Sequence, residues 1–292
     1  MNYPEIPRLK NNPNQKDQFL LRQNVIYTDR EGEPQKMTLF LPWSVDVPEL
    51  PDEKYPLLVF VQGSGWTTPD FDYEIPQLAQ FAHAGFVVAT VSHRDYTKGN
   101  PFPAFLQDVK CAIRYLRKNA ERYHLDPERV SIWGTSSGGN TALLVALTAD
   151  DPRYETQEYA GFSDKVNAAV SCFGPTDMEA LAAPMKQLPE YQLMAAALSG
   201  SADPEKWAAV IKEMSPIHHV EAGKEYPPIL LLNGTADDVV REDQLVNMYH
   251  KLLDCSAKAE AYLVEDAVHE GNFWSGEVRD IILEFLLRYQ GC

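Results

Sequence analysis

Short apolar runs recur along this chain, separated by segments in which apolar residues return every three or four positions. Leu57–Val61, Phe86–Val91, Val130–Trp133, Ala168–Phe173 and Ile229–Leu232 are runs of strand length. A strand apolar at nearly every position is buried on both faces. Ala259–Val264 reads as the last strand. Between these runs the period lengthens. Phe105, Val109, Ala112, Ile113, Leu116 and Ala120 share one face of a helix, and Thr141–Thr148, Gln244–Leu253 and Val278–Tyr289 read as further helices. Strands that alternate with helices imply an α/β class: a mostly parallel sheet covered by helices on both sides.

Two stretches depart from that rhythm. Val25–Tyr27 and Met37–Leu41 flank a polar Asp29–Gly32 turn, which predicts an antiparallel hairpin. Proline-rich Pro42–Pro56 then reads as a loop before the first buried strand. From about Asp177 to Val220 there are helix-forming alanines and no clear strand. That stretch is expected to be a cap insertion over the strand ends rather than a separate domain. The 292 residues are therefore expected to form one domain, with residues 1–56 as N-terminal hairpin and loop and residues 177–220 as the cap. The hydrophobic fraction of 45% supplies the core this requires and excludes a disordered chain.

Net charge narrows the partners. With 26 Lys+Arg against 42 Asp+Glu, the chain carries −16. Nucleic-acid binding needs clustered cations to neutralise phosphates, and docking on anionic membranes needs them too. Neither partner is expected. Residues 1–20 are polar and contain prolines, with no basic stretch leading into an apolar one, so no leader is expected and the location is expected to be cytoplasmic. Cysteines stand at 111, 172, 255 and 292 without CxxC spacing, and no His/Cys cluster suits zinc. Cys111 and Cys172 lie in apolar segments and are expected to be buried thiols. No metal or cofactor is expected, and a homodimer is left open.

The chemistry lies at Gly134-Thr135-Ser136-Ser137-Gly138, which fits G-x-S-x-G. This composition yields about 0.04 such matches by chance. The motif follows an apolar strand and opens a helix, the setting of a nucleophile elbow that lifts a serine hydroxyl above a sheet. Ser136 is the candidate nucleophile. A P-loop fits worse, because no Lys-Ser/Thr follows the glycines. A serine needs a base, and the base needs an orienting carboxylate, in the chain order Ser, acid, His. Just past the strand Ile229–Leu232 lie Asp237 and Asp238; Asp237 is preferred. His269 follows the last strand, whereas His250 sits inside a helical pattern, so His269 is the candidate base. The oxyanion of the tetrahedral intermediate needs N–H donors. One is expected from Ser137. Others are expected from Gln62-Gly63-Ser64-Gly65-Trp66, a loop of small residues after the first buried strand. Trp66 and Trp274 flank the oxyanion loop and the histidine in sequence and are candidate pocket residues. Asp108, on a helix, reads as structural.

Taken together, these stretches resemble the α/β-hydrolase superfamily of esterases and lipases. The resemblance runs from about Leu57 to Leu287. Within the superfamily the chain is similar to hormone-sensitive-lipase-like and acetyl- or feruloyl-esterase-like bacterial carboxylesterases of the BD-FAE type. Gln62–Trp66 matches their HGGGW loop, Phe102-Pro103-Ala104 with Asp108-Val109-Lys110 their fPa…Dvk helix, and Leu125–Val130 the approach to the elbow. Gly174-Pro175-Thr176-Asp177 matches GPTD, and Gly234–Val240 matches GxxDxxV. The resemblance implies an eight-stranded sheet, a triad of Ser136, Asp237 and His269, and oxyanion donors at Ser64, Gly65 and Ser137. It implies a serine carboxylic-ester hydrolase acting through an acyl-enzyme on small neutral esters, with acetyl or feruloyl esters of carbohydrates as candidates. Departures are Gln62 for the usual His, Ser64 for the middle Gly, and Asn233 where the acid loop usually begins with His. The rival readings are an arylformamidase, a small serine peptidase and a non-catalytic ligand-binding module. The last typically lacks the nucleophile or the base, and here both positions are filled.

Overall fold

The computed structural model describes residues 5–10, 18–30, 32–42 and 53–290. Strands β1 (Phe19–Arg30) and β2 (Glu33–Pro42) pair antiparallel, with Arg30 opposite Glu33. Both are longer than the apolar cores Val25–Tyr27 and Met37–Leu41. In β1 only Tyr27 and Thr28 are buried, and its register slips between Arg22 and Val25, so most of it carries no apolar pattern to read. Glu31 in the turn, most of the Pro42–Pro56 loop (residues 43–52) and Cys292 lie outside the described residues.

Strands β3 (Tyr55–Val61), β4 (Val87–Val91), β5 (Leu125–Thr135), β6 (Ala168–Cys172), β7 (Ile229–Gly234) and β8 (Ala259–Val264) complete one eight-stranded sheet. Its order is β1-β2-β4-β3-β5-β6-β7-β8. β2 meets β4 antiparallel, and every pairing from β4 through β8 is parallel. Alternation along β3 splits the interior into two layers. Leu57, Val59 and Val61 face one layer, and Leu58 and Phe60 face the other. The first layer is filled by helices α2 (Ala104–Lys118), α3 (Ser137–Leu147) and α7 (Glu242–Asp254). The second is filled by α1 (Ile75–His83) and α8 (Gly276–Gln290). α1 carries only Leu78 and Phe81 as buried residues, too few to mark its period in the sequence. Each fully buried Leu, Val or Phe in these layers stabilises the fold by roughly 1.5–3 kcal/mol.

Charged residues on α2 are buried as well. Asp108 accepts from Arg30 at 2.7 Å and from Arg94 at 2.9 Å, tying the hairpin to the helix. Lys110 donates to Asp164 at 2.9 Å and to the Thr148 carbonyl at 2.6 Å. Burial pushes the Lys110 ammonium below its usual range, against the pull of Asp164. Cys111 and Cys172 are buried and free.

Between β6 and β7 the Asp177–Val220 stretch folds as α4 (Met178–Ala182), α5 (Pro189–Ser199) and α6 (Pro204–Glu213), with short 3-10 turns at Ala183–Met185 and Pro216–His219. Asp177 and Asp203 cap α4 and α6 by accepting from Ala180 N–H and Glu205 N–H. Among the described residues no helix is long and apolar enough to cross a membrane.

Candidate active site

The turn between β5 and α3 puts Ser136 at φ 50° and ψ −124°, a region an L-residue occupies only when its surroundings force it. Two glycines make the turn sterically feasible. A Cβ on Gly134 would stand 2.1 Å from the Gly138 carbonyl oxygen, and one on Gly138 would stand 2.0 Å from that of Val61. Ser136 N–H donates to the Cys172 carbonyl at 2.9 Å, which ties the elbow to β6.

The Ser136 hydroxyl lies 3.0 Å from His269 Nε2, and His269 Nδ1 lies 2.8 Å from Asp237 Oδ2. A carboxylate can only accept, so Nδ1 carries the proton and Nε2 is left to accept from Ser136. The other Asp237 oxygen accepts from the N–H groups of Val239 (2.9 Å) and Val240 (2.8 Å). The Asp237 side chain is thus fully buried and held on both oxygens. Asp238, the other sequence candidate, is exposed.

The loops bearing acid and base are joined directly. Ala236 N–H donates to the Ala267 carbonyl at 2.9 Å, and Asp266 N–H donates to Thr235 Oγ1 at 2.9 Å. A Cβ on Gly234 would stand 2.1 Å from the Ala267 oxygen, so glycine is what lets the loops approach. Phe173 meets the imidazole edge to face at 4.7 Å.

The oxyanion loop departs from expectation in one respect. Its residues are held by the hydroxyls on either side of the nucleophile. Gly63 N–H donates to Thr135 Oγ1 at 2.9 Å, and Ser64 N–H donates to Ser137 Oγ at 2.9 Å. The Ser64 N–H, expected to face an oxyanion, is therefore already engaged. The Ser137 N–H is the first of α3 and has no intrahelical carbonyl to meet. Gly65 takes φ +61°, where an added Cβ would be strained.

The two tryptophans pack against aromatic neighbours near the site. Trp66 is 6% exposed and packs on Phe105, so its surface belongs to the core. Trp274 packs on Trp133, Phe173 and Phe273 and donates Nε1–H to Glu270 Oε2 at 2.7 Å. It braces the histidine loop from behind.

Three residues of this region carry no sequence signal. Asn140 donates to the carbonyls of both Pro175 and Met214 at 2.8 Å, pinning the two stems of the insertion to α3. Glu270, next to His269, holds φ 65° and ψ −156°, a conformation otherwise taken almost only by glycine. Its bond to Trp274 offsets part of that strain. Glu74, just before α1, is buried. Burial first, and the Glu270 carboxylate second, push its carboxyl up to about 7, with Arg279 opposing. A carboxyl raised in the folded state stabilises the fold below its unfolded value of 4.5, and that contribution is lost as pH rises through 7. Glu74→Gln is therefore expected to raise the melting temperature at pH 8 by roughly 2–5 °C and to change it little at pH 4. Thermal unfolding of both proteins at the two pH values checks this.

The family model described as BD-FAE matches residues 44–252. Esterase LipC of Mycobacterium tuberculosis (strain ATCC 25618 / H37Rv) is 27% identical over 216 residues, covering 74% of this chain and 52% of the relative. The chain spans about half the length of the curated relatives it matches. A solved structure titled "Truncated form of carbohydrate esterase from gut microbiota" is similar with a TM-score of 0.79 at 27% identity, over 96% of this chain and 99% of that one. One titled "Bifunctional GH43-CE", from Bacteroides eggerthii, is similar with a TM-score of 0.76 at 27% identity, over 94% of this chain and 38% of that one.

Proposed function

The chain belongs to the BD-FAE family and has the α/β-hydrolase fold, and from that premise we propose that it is a serine carboxylic-ester hydrolase. The observation that carries this reading is the hydrogen-bonded run from Ser136 Oγ through His269 to Asp237, at 3.0 and 2.8 Å. Such a run activates a hydroxyl for attack on an acyl carbon.

In the proposed reaction Ser136 Oγ bonds to the ester carbonyl carbon while its proton passes to His269 Nε2. Asp237 holds the imidazole by Nδ1–H and stabilises it when charged. The negative carbonyl oxygen is met by N–H donors near Ser137 and Gly65. Collapse of this intermediate breaks the carbon–oxygen bond to the alcohol, which leaves with the proton from His269. A water then adds to the acyl-enzyme with His269 again as base, releasing the acid and restoring Ser136.

The favoured substrates are small neutral esters, with acetyl or feruloyl esters of carbohydrates as candidates. Two observations support this. The matched structure named above is titled a carbohydrate esterase. The net charge of −16 disfavours approach of a strongly anionic substrate. We propose Ser136, Asp237 and His269 as the triad, and a single catalytic domain in which Asp177–Val220 caps the site.

Turnover of a p-nitrophenyl acyl series, beside methyl ferulate and acetylated xylan, tests the reading. The expected result is a p-nitrophenol burst with the acetate ester and turnover of at least one carbohydrate-related ester. No burst, and no labelling by a fluorophosphonate, would favour a non-catalytic binding module. Preference for an N-formyl amide over every ester would favour an arylformamidase.

A further inference from the structure

The Ser137 hydroxyl, next to the nucleophile, takes no part in the acyl transfer proposed above. Ser137 is 1% exposed, and its Oγ accepts the Ser64 N–H at 2.9 Å. A serine hydroxyl can accept and donate at once. Among the described residues, no acceptor receives the Ser137 O–H. A buried hydroxyl with an unused proton beside a reacting centre calls for an explanation.

The oxyanion loop is tightly held around it. Ser64 is held on its other polar atoms too: its hydroxyl donates to the Thr67 carbonyl at 2.9 Å and its carbonyl accepts from Thr67 Oγ1 at 2.7 Å. Gly63, one residue earlier, comes so close to the nucleophile that a Cβ there would stand 2.7 Å from Ser136 Cβ. Ser137 Oγ is thus bonded to the oxyanion loop from the residue that follows the nucleophile.

We propose that the Ser137 hydroxyl is itself an oxyanion donor, a catalytic residue that relays the Ser64 N–H: Ser64 N–H bonds to Ser137 Oγ, and Ser137 Oγ–H bonds to the developing oxyanion. No covalent bond forms or breaks in this step. The Ser64 bond polarises the hydroxyl and strengthens it as a donor. The Ser137 N–H and side chain would then grip one oxygen from a single residue. This inference rests on the serine-hydrolase reading above.

Kinetics of p-nitrophenyl acetate hydrolysis test it, using wild type, Ser137→Ala, Ser137→Thr and Ser136→Ala. Rates are taken per site titrated by a fluorophosphonate, so a variant that folds in part is still read per competent site. Removing one oxyanion donor costs about 10²–10³ in kcat. Ser137→Ala is expected to lose about 10²-fold in kcat with KM within about threefold, and Ser137→Thr, which keeps a hydroxyl, to recover most of it. A Ser137→Ala kcat equal to or above wild type would overturn the relay, since Ser64 N–H would then serve directly. So would a loss expressed only in KM. If Ser136→Ala turned over the ester at the wild-type rate, the underlying serine-hydrolase reading would fail instead.

Discussion

Ser136→Ala is expected to lower kcat for a p-nitrophenyl ester by roughly 10⁴–10⁶-fold while the melting curve stays close to that of wild type. The hydroxyl is the only atom the mutation removes. Its partner is His269 Nε2 at 3.0 Å, and the backbone bonds that shape the turn, Ser136 N–H to Cys172 and Asn140 N–H to Ser136, remain. Alanine also inherits the φ of 50° that serine already bears, so the strain of the elbow is nearly unchanged. Loss of turnover without loss of fold is what removal of the nucleophile predicts. Residual activity close to wild type would mean that another group attacks the ester.

Asp237→Asn is expected to cost roughly 10³–10⁴-fold in kcat, with a smaller change in KM. The side chain keeps its shape, and one amide oxygen can still accept from Val239 and Val240 as Oδ1 does now. The amide nitrogen would then face His269 Nδ1, where the carboxylate oxygen now accepts at 2.8 Å. An NH₂ donor there favours the opposite imidazole tautomer, with the proton on Nε2 and no lone pair for Ser136. Steady-state kinetics at several pH values check this. A variant that retained wild-type kcat would show that Asp237 acts only in packing.

The fold was legible where burial is strongest. Leu57–Val61 and Ile229–Leu232 are apolar at every position because helices cover both faces of the sheet, and the structure extends them by at most two residues at either end. β1 was legible only around Val25–Tyr27, because an edge strand with only two buried residues leaves little apolar pattern. α1 was missed because two buried residues do not declare a period. At the site, Ser136, Asp237 and His269 could be named from motif and chain order, since the topology fixes where each strand ends. Ser64, Trp66 and Trp274 could not be placed in that way. Which direction an N–H or an indole faces depends on partners distant in sequence, as Ser137 is for Ser64 and Glu270 is for Trp274. Asn140 and Glu74 were silent for the same reason: one reaches Met214, and the other meets the charge of Glu270.

The central claim is that Ser136 is an activated nucleophile, and the most direct measurement is intact mass after exposure to a fluorophosphonate, with the modified peptide then sequenced. The account predicts one adduct per chain, on Ser136, with none on Ser136→Ala and slow labelling of Asp237→Asn. No adduct on the wild-type chain, or an adduct on a different serine, would contradict it.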